Sequence, residues 1–270
     1  MIQFQKIIKY GAIAFAVALI FGILSSIVSG LGSLFLIFDN KSNDIKNMKI
    51  VDVSDNISVL DINIDKVSLK MKNSSEFKLE ISDNQYVSYK EVDERLVIEE
   101  RKINFFDEES EVVIYVPFDK VFASVFVETG AGIVEVDSLR STKLDLELGM
   151  GRFAVDELNI SSEADIDTGV GEFVVSTGII NNLDLDMGVG DVLITSKILG
   201  KSEIDAGVGR LAVNLTGRTD EYKIGIDKGL GTIKVDGVSI GTSGNYGNGS
   251  NYIDINGGVG EISLNFTDKN

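Results

Sequence analysis

Carboxylates are the residues of this chain best able to do chemistry, and they recur at fixed spacing. Asp145 and Glu147, Asp165 and Asp167, and Asp184 and Asp186 form pairs two residues apart, each just ahead of a Gly-x-Gly motif. Glu128, Asp205, Asp227 and Asn256 occupy the place of the second member in other copies of the motif. Residues two apart on a strand share a face, and stacked strands lie about 4.8 Å apart, so like charges would stand side by side. Two readings stay open. The six named carboxylates could hold a weakly bound Ca2+, a hard cation that takes several carboxylate and carbonyl oxygens. They could instead form a solvated outer face that keeps a β-rich rod in solution. The established calcium-binding solenoid repeat places its Asp after the glycines, a position that varies here among Ala, Val, Leu, Lys and others. No other cofactor is expected.

The rest of the composition excludes more than it offers. The chain has no histidine and no cysteine, which leaves only carboxylates, lysine and tyrosine for acid–base work. No thiol or imidazole is present to ligate a metal, and no catalytic residues are expected. A net charge of −17 argues against a nucleic-acid partner, which needs a basic face. Two motif fragments fail on inspection. Asp61, Asn63 and Asp65 begin like an EF-hand loop, but Lys66 and Lys72 stand where its glycine and glutamate belong. Gly200, Lys201 and Ser202 end like a phosphate-binding loop, but Thr195 replaces its first glycine.

The elements that position the acidic pairs come from an internal repeat. Gly-x-Gly begins at Gly130, Gly149, Gly169, Gly188, Gly207, Gly229 and Gly258, at steps of 19 to 22 residues and a last step of 29. Three places before the first glycine, and four and six after it, every residue is apolar: Leu146, Phe153 and Val155 in one copy, Leu185, Val192 and Ile194 in another. Apolar and polar residues alternate on both sides of the glycines, the signature of half-buried strands. Each unit reads as strand, Gly-x-Gly corner, strand and connection. Such a unit cannot cover its own apolar face and must stack on its neighbours. The fold class expected is all-β, a parallel β-solenoid of about seven coils of 19–20 residues. The middle residues of the motif (Ala131, Met150, Val170, Val189, Val208, Leu230, Val259) are all apolar and are expected to point inward. The glycines are expected to serve positive φ or close backbone approach.

Around the repeats the chain divides further. Tyr10 to Phe38 contains no charged residue. A membrane span needs about 20 apolar residues, so 10–38 is expected to be a single uncleaved transmembrane helix. Residues 1–9 form a short basic tail on the cytoplasmic side and 39–46 a linker, with the acidic bulk of the chain outside the cell. Residues 47–118 read as strands that cap the solenoid, and 119–268 as the repeats. The segment 237–250 (GVSIGTSGNYGNGS) reads as a loop thrown out from the stack, and Ile103 to Phe106 as an apolar core or cap contact.

The segments LDLDMGVGDVLI (183–194) and ADIDTGVGEFVV (164–175), preceded by VVIYVPFDKVFASVFVETGAGIVEV (112–136), resemble the bacterial putative-adhesin repeat family. This domain of unknown function occurs in envelope proteins, often behind one N-terminal membrane helix. The resemblance spans roughly residues 47–268. It implies a parallel β-helix at the cell surface that acts in adhesion or in envelope interaction. Envelope-stress sensing and a polymerising scaffold are the alternatives. The family brings no catalytic residues. Beyond the membrane itself, the implied partners are an envelope protein or a polysaccharide.

Overall fold

The alternation along the repeats becomes an open all-β sheet in the computed structural model, which describes residues 48–100 and 110–268. No helix among these residues is long and apolar enough to cross a membrane. The expected tail, membrane helix and linker lie outside the described residues, as does the apolar cluster 103–106. Residues 46–270 form one compact unit.

Strands before and after each corner build two parallel ladders, and each corner joins them into a rung. The pairing is residue for residue at the repeat spacing. Asp165 pairs with Asp184 and Phe173 with Val192. Leu211 pairs with Val192 on one side and with Ile262 on the other. One continuous strand, Phe122–Asn181, carries three rungs round their corners. Of the three apolar columns only Val235 is not fully buried. Phe153 and Phe173, in one column of adjacent rungs, stack their rings at 5.3 Å between centroids. The side chain that packs inside one rung therefore packs on its counterpart in the next.

The order of rungs in space differs from their order in the chain at both ends. Val59–Ile64 lies between Arg95–Glu100 and the strand that follows Phe122. Val67–Ser74 likewise lies between Ser110–Pro117 and residues 133–136. At the other end Asn251–Asn256 is inserted between Lys201–Asp205 and Tyr222–Asp227. Val259–Asp268 sits between Val208–Arg218 and Leu230–Val235. The rungs thus stack as 95–100 with 110–117, then 59–74, 122–137, 144–155, 164–175, 183–196, 201–218, 251–268 and 222–235.

Short antiparallel strands close both ends. Lys78–Ser82 and Val87–Val92 pair with the outer rung at one end, and Met48–Asp52 pairs with Lys78–Ser82. At the other end Val238–Ile240 pairs with Ile233–Val235, and Gly244–Tyr246 with Ile224–Ile226. The segment 237–250 is therefore not a loop thrown clear of the stack. Its glycines and serines hid two three-residue strands, whose backbone groups satisfy the last rung.

A second expectation fails at the corner. None of the middle residues of Gly-x-Gly is in the core: Leu230 is 76% exposed, Met150 and Val259 are also exposed, and Ala131, Val170, Val189 and Val208 are half-buried. At the position before the first glycine Met187 is buried and Leu148 and Ala206 pack against the core, whereas Lys228 is exposed. Both glycines are spent on backbone contact. A Cβ on Gly188 would lie 2.1 Å from the Gly169 carbonyl oxygen, and one on Gly190 1.9 Å from that of Gly171. With the two glycines pressed against the rung below, the residue between them is left on the outside of the bend.

Candidate acidic face

The outer surface of the ladder before the corners carries the carboxylates found by spacing. Alternation turns Leu146, Ile166, Leu185 and Ile204 into the core, so their neighbours turn to water. Parallel register then stacks like on like: Asp165 beside Asp184 beside Glu203, and Asp167 beside Asp186 beside Asp205. Asp145 and Glu147 extend both columns one rung further, since Gly149 stacks on Gly169. The structure brings all six sequence-predicted residues onto one face, with Glu203 and Asp205 added.

Among the described residues none of these eight carboxylates takes part in an ion pair. The ladder after the corners is built differently. There Arg152 bridges Glu172 at 3.0 Å and Glu135 at 3.7 Å, Arg210 meets Asp191 at 3.3 Å, and Lys234 meets Glu261 at 2.9 Å. Along the rungs of these eight, the face before the corners holds one such pair, Lys143 with Glu163 at 3.2 Å at its edge, and leaves the eight stacked carboxylates uncompensated.

The column through Glu128, Glu147, Asp167, Asp186 and Asp205 meets amides at both ends, while the other continues from Glu203 to Asp254. Asn63 Nδ2 donates to Glu128 Oε2 at 2.5 Å at one end, and Asn256 Nδ2 donates to Asp205 Oδ1 at 2.6 Å at the other. Beyond Asn63, Arg95 pairs with Asp61 at 2.6 Å and lies over the Phe126 ring. Asn256 stood as the exception in its column in the sequence. Asn63 was not findable from the repeat, since the preceding rung in the chain offers Glu99 in that column and only the pairing in space sets Asn63 beside Glu128.

Crowding has its electrostatic effect inside these limits. Partial burial pushes the Asp145 carboxyl above the ordinary range, with Glu147 adding to it. Asp165 is raised by burial and then by Asp145, Glu163 and Asp186. Asp167 is raised by burial and by Asp186, Asp165 and Glu147. Each resists ionisation first because it is partly desolvated and then because its neighbours carry the same charge. Among the described residues no group of three or more acidic side chains is arranged to hold a metal ion. The registers present the carboxylates in rows facing solvent, which suits a diffuse cation atmosphere or an extended cationic partner.

One further carboxylate escaped the sequence reading. Glu100, 8% exposed, accepts the backbone N–H of Asp65 at 2.9 Å and of Lys66 at 2.6 Å. Asp65 and Lys66 form the corner of rung 59–74 in place of Gly-x-Gly, and the carboxylate satisfies that bend. Burial pushes Glu100 above the usual carboxylate range despite both donations. Nothing in its local sequence, EERK, distinguishes it from an exposed charge.

No family model and no curated protein matches the chain. Solved structures do. A putative cell adhesion protein of Clostridium sporogenes is 16% identical, with 82% of this chain and 99% of that one covered and a TM-score of 0.38. A putative adhesin of Bacteroides fragilis is 14% identical over 81% of this chain and 96% of that one, with a TM-score of 0.39. A putative adhesin of Parabacteroides distasonis is 13% identical over 82% and 96%, with a TM-score of 0.36. All three are bacterial proteins described by adhesion.

Proposed function

We propose that this chain is a non-enzymatic, membrane-anchored surface protein: a parallel β-solenoid whose acidic face engages cationic groups on an envelope partner or an opposing surface. One observation carries the reading. Eight stacked carboxylates before the corners go without an ion pair, while Glu135, Glu172, Asp191 and Glu261 after the corners each meet an arginine or lysine. Like charges in a stacked row cost stability. The fold places arginines at Arg152 and Arg210 after the corners, whereas before them, on the rungs of the eight, its one paired lysine, Lys143, meets Glu163 and none of the eight. The anchor rests on the uncharged stretch 10–38, and the outward location of 47–268 on its net negative charge. The absence of histidine and cysteine from the sequence supports a role without catalysis.

The polymerising scaffold is the weaker alternative, because at each end the parallel stack passes into short antiparallel strands. The test uses the full chain expressed on cells. Asp165, Asp167, Asp184 and Asp186 are changed together to Asn, and retention on positively charged and neutral surfaces is measured at two salt concentrations. Wild-type cells should be retained on the cationic surface at low salt, and the variant several-fold less. Equal retention of the two, at equal surface expression, would sink the proposal.

A further inference from the structure

In a stack whose rungs follow chain order, the first and last rungs lie at the ends and have one neighbour each. Tension on the chain then unpairs them one hydrogen bond at a time. This protein departs from that arrangement at both ends. Rung 59–74 is paired along both edges, to 95–100 and 110–117 outside and to 122–137 inside. Rung 251–268 is paired along both edges too, to 222–235 outside and to 201–218 inside. The glycines confirm the insertion. A Cβ on Gly258 would strike the Gly207 carbonyl oxygen at 1.9 Å, and a Cβ on Gly229 would strike that of Gly258 at 2.0 Å. The outer rungs are in turn held from outside by antiparallel strands.

We infer that the fold is built to carry tension through its two ends, because the rungs into which a pull enters are clamped one place inside the stack. Extracting 251–268 means breaking the ladders on both of its edges at once, and it strips the outer rung of its support. The same holds for 59–74. Once Met48–Asp52, paired along one edge only, is stripped from the amino-terminal side, unfolding from either end requires a cooperative rupture of two rungs, where a sequential stack would peel. The inference extends the proposed surface role, since a tethered rod that grips a partner is loaded along its chain, but the mechanics do not depend on any partner.

Because the chain has no cysteine, introduced cysteines are unique handles. The full chain is pulled in optical tweezers between S54C and T267C, and separately between D93C and S239C, all four at exposed positions. The first pair loads the clamped rungs and the second loads the outer ones. An extended chain gains roughly 3.3–3.6 Å per residue. The first rupture of the S54C/T267C pair should release about 150 Å or more, the length of two rungs and their connection. A first step of about 60–70 Å, one rung alone, would overturn the inference. The D93C/S239C pair should yield at a several-fold lower force, and equal forces would overturn it as well. Amide exchange on the unaltered chain is the second readout: 59–74 and 251–268 should exchange more slowly than 95–100, 110–117 and 222–235, and the reverse order would refute the clamp. A protein that passes both tests but fails to hold cells to a cationic surface refutes the proposed function and leaves this inference standing.

Discussion

At the scale of single residues, the corner glycines and Glu100 answer the same problem, a backbone bend pressed against its neighbour. Gly190 has φ 140° and a carbonyl oxygen 1.9 Å from where its Cβ would be. Gly190→Ala therefore adds backbone strain to a clash that no side-chain rotation relieves, and should cost at least ~2 kcal/mol by urea denaturation. Gly241 meets nothing within 4 Å, and Gly241→Ala should change stability by less than ~0.5 kcal/mol. If the two variants melt alike, close backbone approach is not what selects glycine at the corner. Where rung 59–74 lacks Gly-x-Gly, Glu100 accepts the two amides of its bend. Glu100→Ala leaves both donors unmet and should cost about 1–3 kcal/mol. Glu100→Gln keeps an oxygen acceptor and sheds a buried charge, and should retain most of the stability at neutral pH. Equal losses in the two variants would show that the hydrogen bonds to Asp65 and Lys66 contribute little.

At the scale of elements, the strands were legible because burial imposes a period of two, and the columns through Leu146, Phe153 and Val155 record it in every copy. The acidic face was legible for the same reason, as the other half of that alternation. The corner was not. Apolar residues between the glycines suggested the interior, but hydrophobicity does not encode on which side of a bend a side chain emerges. Leu230 and Val259 emerge on the outside. Leu230→Ser should then change stability by less than ~0.5 kcal/mol, whereas Ile255→Ala, in a fully buried column, should cost about 2–5 kcal/mol. A large loss from Leu230→Ser would restore the inward reading. The order of rungs was illegible for a different reason. Rungs 222–235 and 251–268 carry the same columns and the same glycines, so either fits on 201–218, and only the pairing in space distinguishes them. The two strands within 237–250 were hidden by composition, since residues that favour loops also suit short edge strands paired on one side only.

At the scale of the whole molecule, the acidic face makes stability depend on pH and salt in a direction that can be worked out. Asp145, Asp165 and Asp167 have folded-state values above their ordinary ones, so the folded protein binds protons that the unfolded chain releases. Their contribution is most favourable below the ordinary carboxylate range, about 3.9 for Asp, and is lost as pH rises from there through the raised values. Glu100 acts in the same direction. Glu76, Asp220 and Glu221 oppose it, being held below their ordinary range by Lys78, Arg218 and Lys197 respectively, so they lose stability as pH falls. The ladder's part is isolated by difference. The double variant D165N/D167N should melt higher than wild type at pH 7 in low salt, and the gap should shrink both toward pH 4 and with added NaCl, because exposed charges are screened within about 10 Å at 0.1 M. Ca2+ at matched ionic strength should raise the wild-type melting temperature no more than NaCl does, since the carboxylates stand in rows and do not converge. A rise specific to Ca2+ and abolished in D165N/D167N would make the face a metal site. A double variant no more stable than wild type at pH 7 would show that stacking like charges costs this fold nothing, and the reason for reading the uncompensated face as functional would go with it.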